Sequence, residues 1–176
     1  SICLFNVRIP FPDRNYKLGI DYCSGSLGNG LSVGCGVALS NIKDKNNKKV
    51  LVVIGDGECN EGMIWEAVLF AGHNNLNNLY VILDYNKQQG FGSTNEVLKL
   101  DSLKKKFLSF NWNVAEVNGH NLSELKKATN LLLKKKNKPN IIIANTIKGK
   151  GISFMENKFE WHYKVLTENQ YNKIKI

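Results

Sequence analysis

A chain of 176 residues, with 43% hydrophobic and 22% charged side chains, is long and apolar enough to bury one hydrophobic core. No apolar run approaches the ~20 residues that a membrane-spanning helix needs, and the first residues do not have the charged and apolar regions of a secretory signal. The four cysteines lack a CxxC spacing and are interpreted as reduced thiols. We therefore expect a folded cytoplasmic protein with no membrane partner.

The net charge of +9 comes almost wholly from lysine, because Arg8 and Arg14 are the only arginines in the chain. Arginine is the usual bidentate ligand of phosphates and bases. The lysine runs also lack the interleaved aromatic residues of a stacking surface. The lysines are therefore interpreted as solvated loop and helix-end residues, and no nucleic-acid partner is expected.

Predicted helices and strands alternate along most of the chain. Residues 1–20 are predicted to be an irregular lead-in, and residues 21–176 a single domain. The apolar, β-branched run Val50–Ile54 is typical of a strand buried on both faces of a parallel sheet. The other predicted elements are helices over 27–41, 63–71, 102–107 (capped by Asp101 and Ser102) and from 123 to the lysines at 134–136, and strands over 79–83, 112–117 and 140–146.

This alternation predicts an α/β fold, in which a parallel sheet carries helices on both faces. Right-handed crossovers then place the carboxyl ends of all the strands at one edge of the sheet. Open α/β sheets bind their ligands at this edge. The residues that directly follow the strands are therefore the first candidates for a functional site.

Two oxygen-bearing side chains follow two consecutive predicted strands. Asp56 comes directly after the strand at 50–54, and Asn86 follows the strand at 79–83, thirty positions later. That spacing is about the length of one βαβ unit, so both side chains are expected to face the same crevice. A carboxylate and an amide oxygen suit a hard cation such as Mg²⁺, which takes its other oxygens from phosphates and water.

Glycines surround Asp56 in the run Gly55–Gly62, which the sequence places just before a helix. Gly57 lets the backbone come close to a phosphate, and the amides at a helix N-terminus favour an anion there. Together with the oxygen pair, this pattern predicts a site where a metal ion bridges the protein to a diphosphate.

This constellation resembles the thiamine diphosphate signature, which opens with Gly-Asp-Gly and closes with an asparagine about thirty residues later. The resemblance is closest to the transketolase family, in particular to its N-terminal, diphosphate-binding part, and it covers the chain from about residue 21 to residue 170. The stretches that carry it are Ser24–Ser32, Gly55–Gly62 with Trp65–Ala67, Asp84–Asn86, and Thr146–Asn157 with Trp161 and His162.

The resemblance implies a ligand set for the metal and the cofactor. It makes the side chains of Asp56 and Asn86 and the backbone carbonyl of Gln88 the ligands of a Mg²⁺ (or Ca²⁺) ion. It implies that thiamine diphosphate is contacted by Gly25, Ser26, Leu27, Asp56, Gly57, Glu58, Asn86, Lys150 and His162. Family members often have proline at the position of Ser26, but the contact there is made by the backbone.

Catalytic roles also follow from the resemblance. Glu61 and Glu66 match the family's interface carboxylates, which link the two cofactor sites of a dimer in a proton network. His162 matches a histidine that contacts the cofactor and the oxygens of the substrate. The reaction implied is transfer of a two-carbon ketol unit between sugar phosphates, which makes the protein a transketolase-like transferase of carbohydrate metabolism.

The chain is too short for the second half of such an enzyme. In the transketolase family a separate pyrimidine-binding domain supplies the carboxylate that activates the cofactor, and 176 residues leave no room for it. We therefore expect a partner: a C-terminal, pyrimidine-binding subunit or the remainder of a longer chain, in a homodimer or heterotetramer. The chain alone is expected to be inactive.

Other functions compete with this interpretation. The deoxyxylulose-phosphate synthase and 2-oxo acid dehydrogenase families share the metal motif, but their chemistry begins with decarboxylation. Residues 24–32 and 58–62 resemble transketolase more closely than either. A degenerate, non-catalytic homologue is a further alternative, against which the intact Asp56 and Asn86 argue.

Overall fold

The computed structural model describes residues 14–100 and 102–174, and its centre is a four-stranded parallel sheet. The strands stand in the order β1–β2–β6–β5, and a two-stranded antiparallel hairpin, β3–β4, is separate from the sheet. Their bounds are β1 Val50–Gly55, β2 Leu79–Tyr85, β3 Gln88–Gln89, β4 Gly92–Ser93, β5 Asn113–Asn118 and β6 Asn140–Asn145. The predicted α/β fold with a parallel sheet is confirmed.

Four of the six described helices occupy intervals where the sequence predicts a helix, and two short ones, at 94–97 and 168–174, were not predicted. The helices are α1 Asn29–Lys43, α2 Gly62–His73, α3 Thr94–Val97, α4 Leu103–Ser109, α5 Leu122–Leu133 and α6 Glu168–Ile174, with 3₁₀ turns at Tyr16–Leu18, Gly57–Asn60 and Phe159–His162. No helix in the described ranges is both long and apolar enough to cross a bilayer. The predicted lead-in lies mostly outside the described residues, as does the predicted cap Asp101, so the domain boundary at residue 20 stays a prediction.

The starts of all four predicted helices differ from the prediction by one or two residues, and for α1 and α5 the reason is the capping residue. Helix α1 begins after Gly28 rather than at Leu27, because Gly28 is left-handed, with φ +89°, and caps the helix from outside. Helix α5 begins one residue earlier than predicted. Asn121 caps it by accepting a hydrogen bond from the backbone N–H of Glu124, which satisfies one of the free amides of the first turn.

The core lies mainly on one face of the sheet. Helices α1, α2 and α4 cover this face, and the buried side chains of β1 and β2 point into the same apolar cluster as Phe107 and Trp112. The Nε1 of Trp112 donates to the carbonyl of Val68, which satisfies its one polar atom inside the core. On the opposite face, α5 packs through Ala128 and Leu132 onto β6.

The prediction that β1 is buried on both faces is wrong. Val52 and Ile54 face the core, whereas Leu51 and Val53 are 64% and 66% exposed. The reason is the position of α5, which covers the half of the sheet made by β5 and β6. The central strand β6 is buried along nearly its whole length and so has the property that was predicted for β1.

A pair of substitutions tests this assignment of faces. Val52→Thr is expected to lower the free energy of unfolding by about 1–3 kcal/mol, because it buries a hydroxyl among apolar side chains. Val53→Thr keeps the β-branched shape on an open face, so we expect a change within about 0.5 kcal/mol. Equilibrium denaturation of the two variants measures the difference. Equal losses would place both side chains in the core.

Candidate functional site

Asp56 joins the two loops that follow β1 and β2. Its side chain is 2% exposed. Its Oδ1 accepts the backbone N–H of Gly57 at 2.7 Å, and its Oδ2 accepts that of Lys87 at 2.6 Å. Because β1 and β2 are neighbours, with Gly55 opposite Asp84, the two strand-end loops meet at one edge. Asp56 is therefore bonded to Lys87, the residue that follows Asn86 in the second loop.

The carboxylate of Asp56 lies in an environment that disfavours its charge. Burial raises its pKa from 3.8 to about 6, against the opposing effect of the hydrogen bonds from Lys87 and Gly57. The charge of Asp84 raises the pKa further, and that of Lys148 lowers it. A buried carboxylate of this kind is a group whose ionised form a bound divalent cation would stabilise.

Asn86 and Gln88 form the turn that leads into the hairpin. The Oδ1 of Asn86 accepts the backbone N–H of Gln88 at 2.9 Å, and Lys87 between them is left-handed, with φ +64°. Among the described residues, no group of three or more His, Cys, Asp or Glu side chains is placed to hold a metal ion. The predicted ligand set does not require such a group, because it combines one carboxylate with an amide oxygen and a backbone carbonyl.

Polar atoms without partners cluster beside Gly57. The side chain of Gln89, 8% exposed, lies against Gly57, where an added Cβ would stand 3.4 Å from its Cγ. Asn60 donates to the Oε1 of Gln89 at 3.0 Å, which leaves the Nε2 of Gln89 without a partner. Within residues 14–100 and 102–174, four buried side-chain atoms lack partners, and three of them belong to Asn60, Gln88 and Gln89.

These unpartnered amide atoms are available to pair with a polar ligand. A buried donor or acceptor left unpaired costs about 1–3 kcal/mol, so several in one place indicate a site that a ligand completes. Gln89 is not among the residues predicted from the sequence, because a polar pair in a turn carries no distinguishing signal.

The turn at residues 24–28 lies against the loop at residues 55–62, which is called the diphosphate loop here for its predicted role. Ser24–Leu27 are exposed, and the N–H of Ser26 bonds to the Oγ of Ser24 within the turn. The buried Gly28 instead donates its N–H to the Oε1 of Glu58 at 2.7 Å. The turn that ends at Gly28 and the loop that carries Glu58 are thus joined by a hydrogen bond. The roles of residues 25–27 and 56–58 in holding the cofactor stay predictions.

Glu61 and Glu66 lie at the start of α2 and are exposed. Glu61 is the N-cap residue of this helix but makes no side-chain capping bond. Glu66 precedes Leu69 and Phe70, which are 56% and 42% exposed, so carboxylate and apolar groups share an outward surface. The structure places the two carboxylates near the beginning of α2, which follows the diphosphate loop.

His162 lies next to the hairpin that follows Asn86. An added Cβ at Gly90 would stand 3.6 Å from the Cδ2 of His162. The Nδ1 of His162 is 3.4 Å from the Nζ of Lys148. Partial burial and the charge of Lys148 lower the pKa of His162 below its usual value, so the ring is neutral at physiological pH.

The two lysines of the loop at 148–151 differ in their surroundings. Lys150 is exposed and forms an ion pair with Glu156 at 3.4 Å, and the same carboxylate accepts the N–H of Gly151. Lys148 is half-buried and lies near His162, and its charge acts on Asp56. The sequence prediction named Lys150 and missed Lys148, because the alternation of lysine and glycine does not distinguish them.

Comparisons with known proteins identify the family of the chain. A family model described as "Transketolase, thiamine diphosphate binding domain" matches residues 6–176. The chain is 42% identical over 159 residues to the 6-deoxy-6-sulfo-D-fructose transketolase subunit of Clostridium sp., covering 90% of this chain and 58% of that protein. It is 39% identical over 155 residues to an apulose-4-phosphate transketolase subunit of Phocaeicola vulgatus, covering 88% of this chain and 55% of that protein.

Solved structures lead to the same family. The transketolase of Campylobacter jejuni superposes with a TM-score of 0.84 at 29% sequence identity, over 90% of this chain and 26% of that one. The chain spans between a half and two thirds of the length of the two subunits to which it is similar. The resemblance predicted from the sequence is confirmed, and the chain belongs to the transketolase family, as its thiamine diphosphate-binding domain.

Proposed function

We propose that the chain is the diphosphate-binding half of an enzyme that transfers a two-carbon ketol unit between sugar phosphates. The observation that carries this proposal is the buried Asp56 carboxylate, which spans from Gly57 to Lys87 and so joins the two loops of the signature. The relatives named as transketolase subunits support the choice of reaction over one that begins with decarboxylation.

Mg²⁺, or Ca²⁺ in its place, would be held by the side chains of Asp56 and Asn86 and the carbonyl of Gln88. These are hard oxygen donors, and the raised pKa of Asp56 marks a site that gains from a positive charge. Thiamine diphosphate, when bound, supplies a nucleophilic carbon and then stores the electron pair of the cleaved bond.

Other residues would bind and orient the two ends of the cofactor. Glu58 would offer its backbone amide to the diphosphate, Gly57 would do so by releasing its bond to Asp56, and the unpartnered Nε2 of Gln89 offers one more donor. Residues 25–27 offer backbone to the rings. Lys150 would reach a phosphate only by leaving Glu156, so we assign the cationic role to Lys148 as well.

His162 would act on the oxygens of the sugar. Its ring is neutral at physiological pH, so it has one nitrogen that accepts a hydrogen bond and one that donates. The charge of Lys148 beside the ring disfavours its protonation and so favours the neutral form. This arrangement suits a group that positions a hydroxyl or takes its proton.

A pyrimidine-binding partner would complete the enzyme, in a homodimer or a heterotetramer. Exposed carboxylates at Glu61 and Glu66, beside the exposed Leu69 and Phe70, provide a surface on α2 for that contact. The relatives that carry "subunit" in their names support a separate partner chain. We propose that this chain is inactive alone, and its cytoplasmic location stays a prediction.

Calorimetric titration of thiamine diphosphate with Mg²⁺, with and without a pyrimidine-binding partner chain, tests the proposal. We expect metal-dependent binding that tightens when the partner is present, and ketol transfer only by the pair. Ketose phosphate should act as the donor and pyruvate should not. Turnover of pyruvate would instead assign the decarboxylating class. Absence of metal-dependent binding by the pair would contradict the proposed function.

A further inference from the structure

The side chain of Glu58 connects two separate parts of the site. Its Oε1 accepts the N–H of Gly28 at 2.7 Å, and its Oε2 accepts the N–H of Gly55 at 3.2 Å. Gly28 closes the turn before α1, and Gly55 is the last residue of β1. One carboxylate therefore joins segments that are about thirty residues apart in the chain.

The surroundings of Glu58 hold this carboxylate in place. It lies in the 3₁₀ turn Gly57–Asn60, whose next residue, Cys59, is buried and bonds through its Sγ to the carbonyl of Gly55. The Nε1 of Trp65 donates to the carbonyl of Cys59 at 2.9 Å. The turn that carries Glu58 is thus attached both to β1 and to α2.

The other end of the bridge is equally restricted. An added Cβ at Gly28 would stand 2.4 Å from the Cγ of Met63, so the backbone of the turn passes directly against α2. Gly28 has a left-handed φ of +89°, which favours glycine, and its N–H donates to Glu58. The preceding residues, 24–27, are exposed, and it is at Gly28 that the turn bonds to Glu58.

The chemistry of the bridge requires a carboxylate. Both groups that meet Glu58 are backbone donors, and an ionised carboxylate has two acceptor oxygens to meet them. A glutamine has one acceptor and would turn its NH₂ group toward the other N–H. A carboxylate beside a diphosphate would also repel it, so the residue type is not explained by attraction to the phosphate.

We propose that Glu58 is a positioning residue that presets the turn at residues 24–28 against the diphosphate loop, so that both ends of thiamine diphosphate meet surfaces already in place. This inference rests on the proposed function of the site and adds a role for the side chain of Glu58. Preorganisation of this kind lowers the ordering cost of binding for a ligand that contacts both parts. It does nothing for a ligand that contacts the diphosphate loop alone.

The test uses Glu58→Gln and three measurements on the whole chain, with the partner chain present in the binding experiments. Without ligand, amide hydrogen exchange in residues 24–28 is expected to become about tenfold faster, while the middle of α1 is unchanged. Affinity for thiamine diphosphate with Mg²⁺ is expected to fall about tenfold. Affinity for inorganic pyrophosphate with Mg²⁺ is expected to stay within about threefold or to rise.

The control is Glu124→Gln. Glu124 also accepts a backbone N–H through its carboxylate, that of Asn118 at 2.9 Å, but it lies on α5. It is expected to change none of the three measurements. Should Glu58→Gln fail to fold, as judged by circular dichroism, Glu58→Asp replaces it. The aspartate keeps the charge but is too short to reach both partners, so it is expected to show the same faster exchange.

The outcomes separate the possible roles of Glu58. Unchanged exchange at residues 24–28, or an equal loss of affinity for both ligands, would overturn the inference and leave the proposed function intact. If Glu58→Gln raises the affinity for both ligands equally, Glu58 acts only as a repulsive charge. That result would also overturn the inference. If the unsubstituted chain with its partner binds neither ligand in the presence of Mg²⁺, the proposed function fails and this inference fails with it.

Discussion

Replacing Asp56 by alanine is expected to abolish the metal-dependent part of thiamine diphosphate binding, lowering affinity in the presence of Mg²⁺ by at least about a hundredfold, or ~2.7 kcal/mol. The physical reason is that Asp56 is the one charged ligand in the proposed set. Asn86 and Gln88 would offer neutral oxygens. Isothermal titration of the variant, with Mg²⁺ and with EDTA, measures the metal-dependent part directly.

Loss of the metal site is not expected to unfold the chain. The pKa of Asp56 is about 6 in the native state against an ordinary value of 3.8, so the native state binds this proton more tightly than the unfolded chain. The ionised carboxylate therefore costs the unliganded native state ~3 kcal/mol. That cost develops as pH rises from about 4 to about 6 and is complete above pH 6. Alanine removes this cost together with two hydrogen bonds.

Asp84→Asn is the matched control for Asp56→Ala. Asp84 lies opposite Gly55 in the neighbouring strand, is exposed, and accepts a hydrogen bond from the hydroxyl of Thr146. Its amide keeps an acceptor for that hydroxyl, so Mg²⁺-dependent affinity is expected to stay within about threefold. If Asp56→Ala binds the cofactor and Mg²⁺ as tightly as the unsubstituted chain, the metal site is elsewhere.

Local patterns in the sequence were enough to predict the parallel sheet and the meeting of its two loops. The apolar runs at 50–54 and 79–83 are strands because their composition is β-branched and continuous. The register of neighbouring parallel strands then follows from the connecting helix. For that reason the approach of Asp56 to the loop of Asn86 could be predicted from their spacing alone.

Features that depend on packing between distant elements could not be predicted in this way. Leu51 and Val53 have the same apolar character as Val52, and only the position of α5 decides which of them is covered. The same holds for Lys148 and Lys150, whose surroundings differ because Glu156 forms an ion pair with Lys150. The bridge made by Glu58 depends on a contact with Gly28. Local sequence patterns do not predict a contact between residues thirty positions apart.

Helix α2 comes close to the turn after α4 at Gly72. An added Cβ at this glycine would stand 1.9 Å from the carbonyl oxygen of Phe110 and 3.1 Å from its carbonyl carbon. Both atoms belong to the backbone, so a rotamer change cannot relieve the overlap. Asn111 donates to the carbonyl of Gly72 at 3.3 Å, and Phe110 packs on Trp65, so the two segments are also joined around the glycine.

Gly72→Ala is therefore expected to lower the free energy of unfolding by about 3 kcal/mol, because α2 and the turn must move apart. The midpoint of thermal unfolding should fall by roughly 6–12 °C for a chain of this length. Gly36→Ala is the matched control, since Gly36 is also helical but exposed, and an added Cβ meets nothing within 4 Å. Gly36→Ala removes backbone freedom from the unfolded chain without a clash in the folded one. It should therefore raise the free energy of unfolding by about 0.5–1 kcal/mol.

The two glycine variants are expected to change the free energy of unfolding in opposite directions. This difference tests whether α2 packs on Phe110 as described. Helix α2 carries Glu66, and its first turn contacts Gly28 through Met63. A shift of α2 at Gly72 is therefore expected to move Met63 and Glu66 as well as the core residues of this helix. If thermal denaturation shows Gly72→Ala to be as stable as Gly36→Ala, then α2 does not pack on Phe110 as described, and the position of the glutamates on it must be assigned afresh.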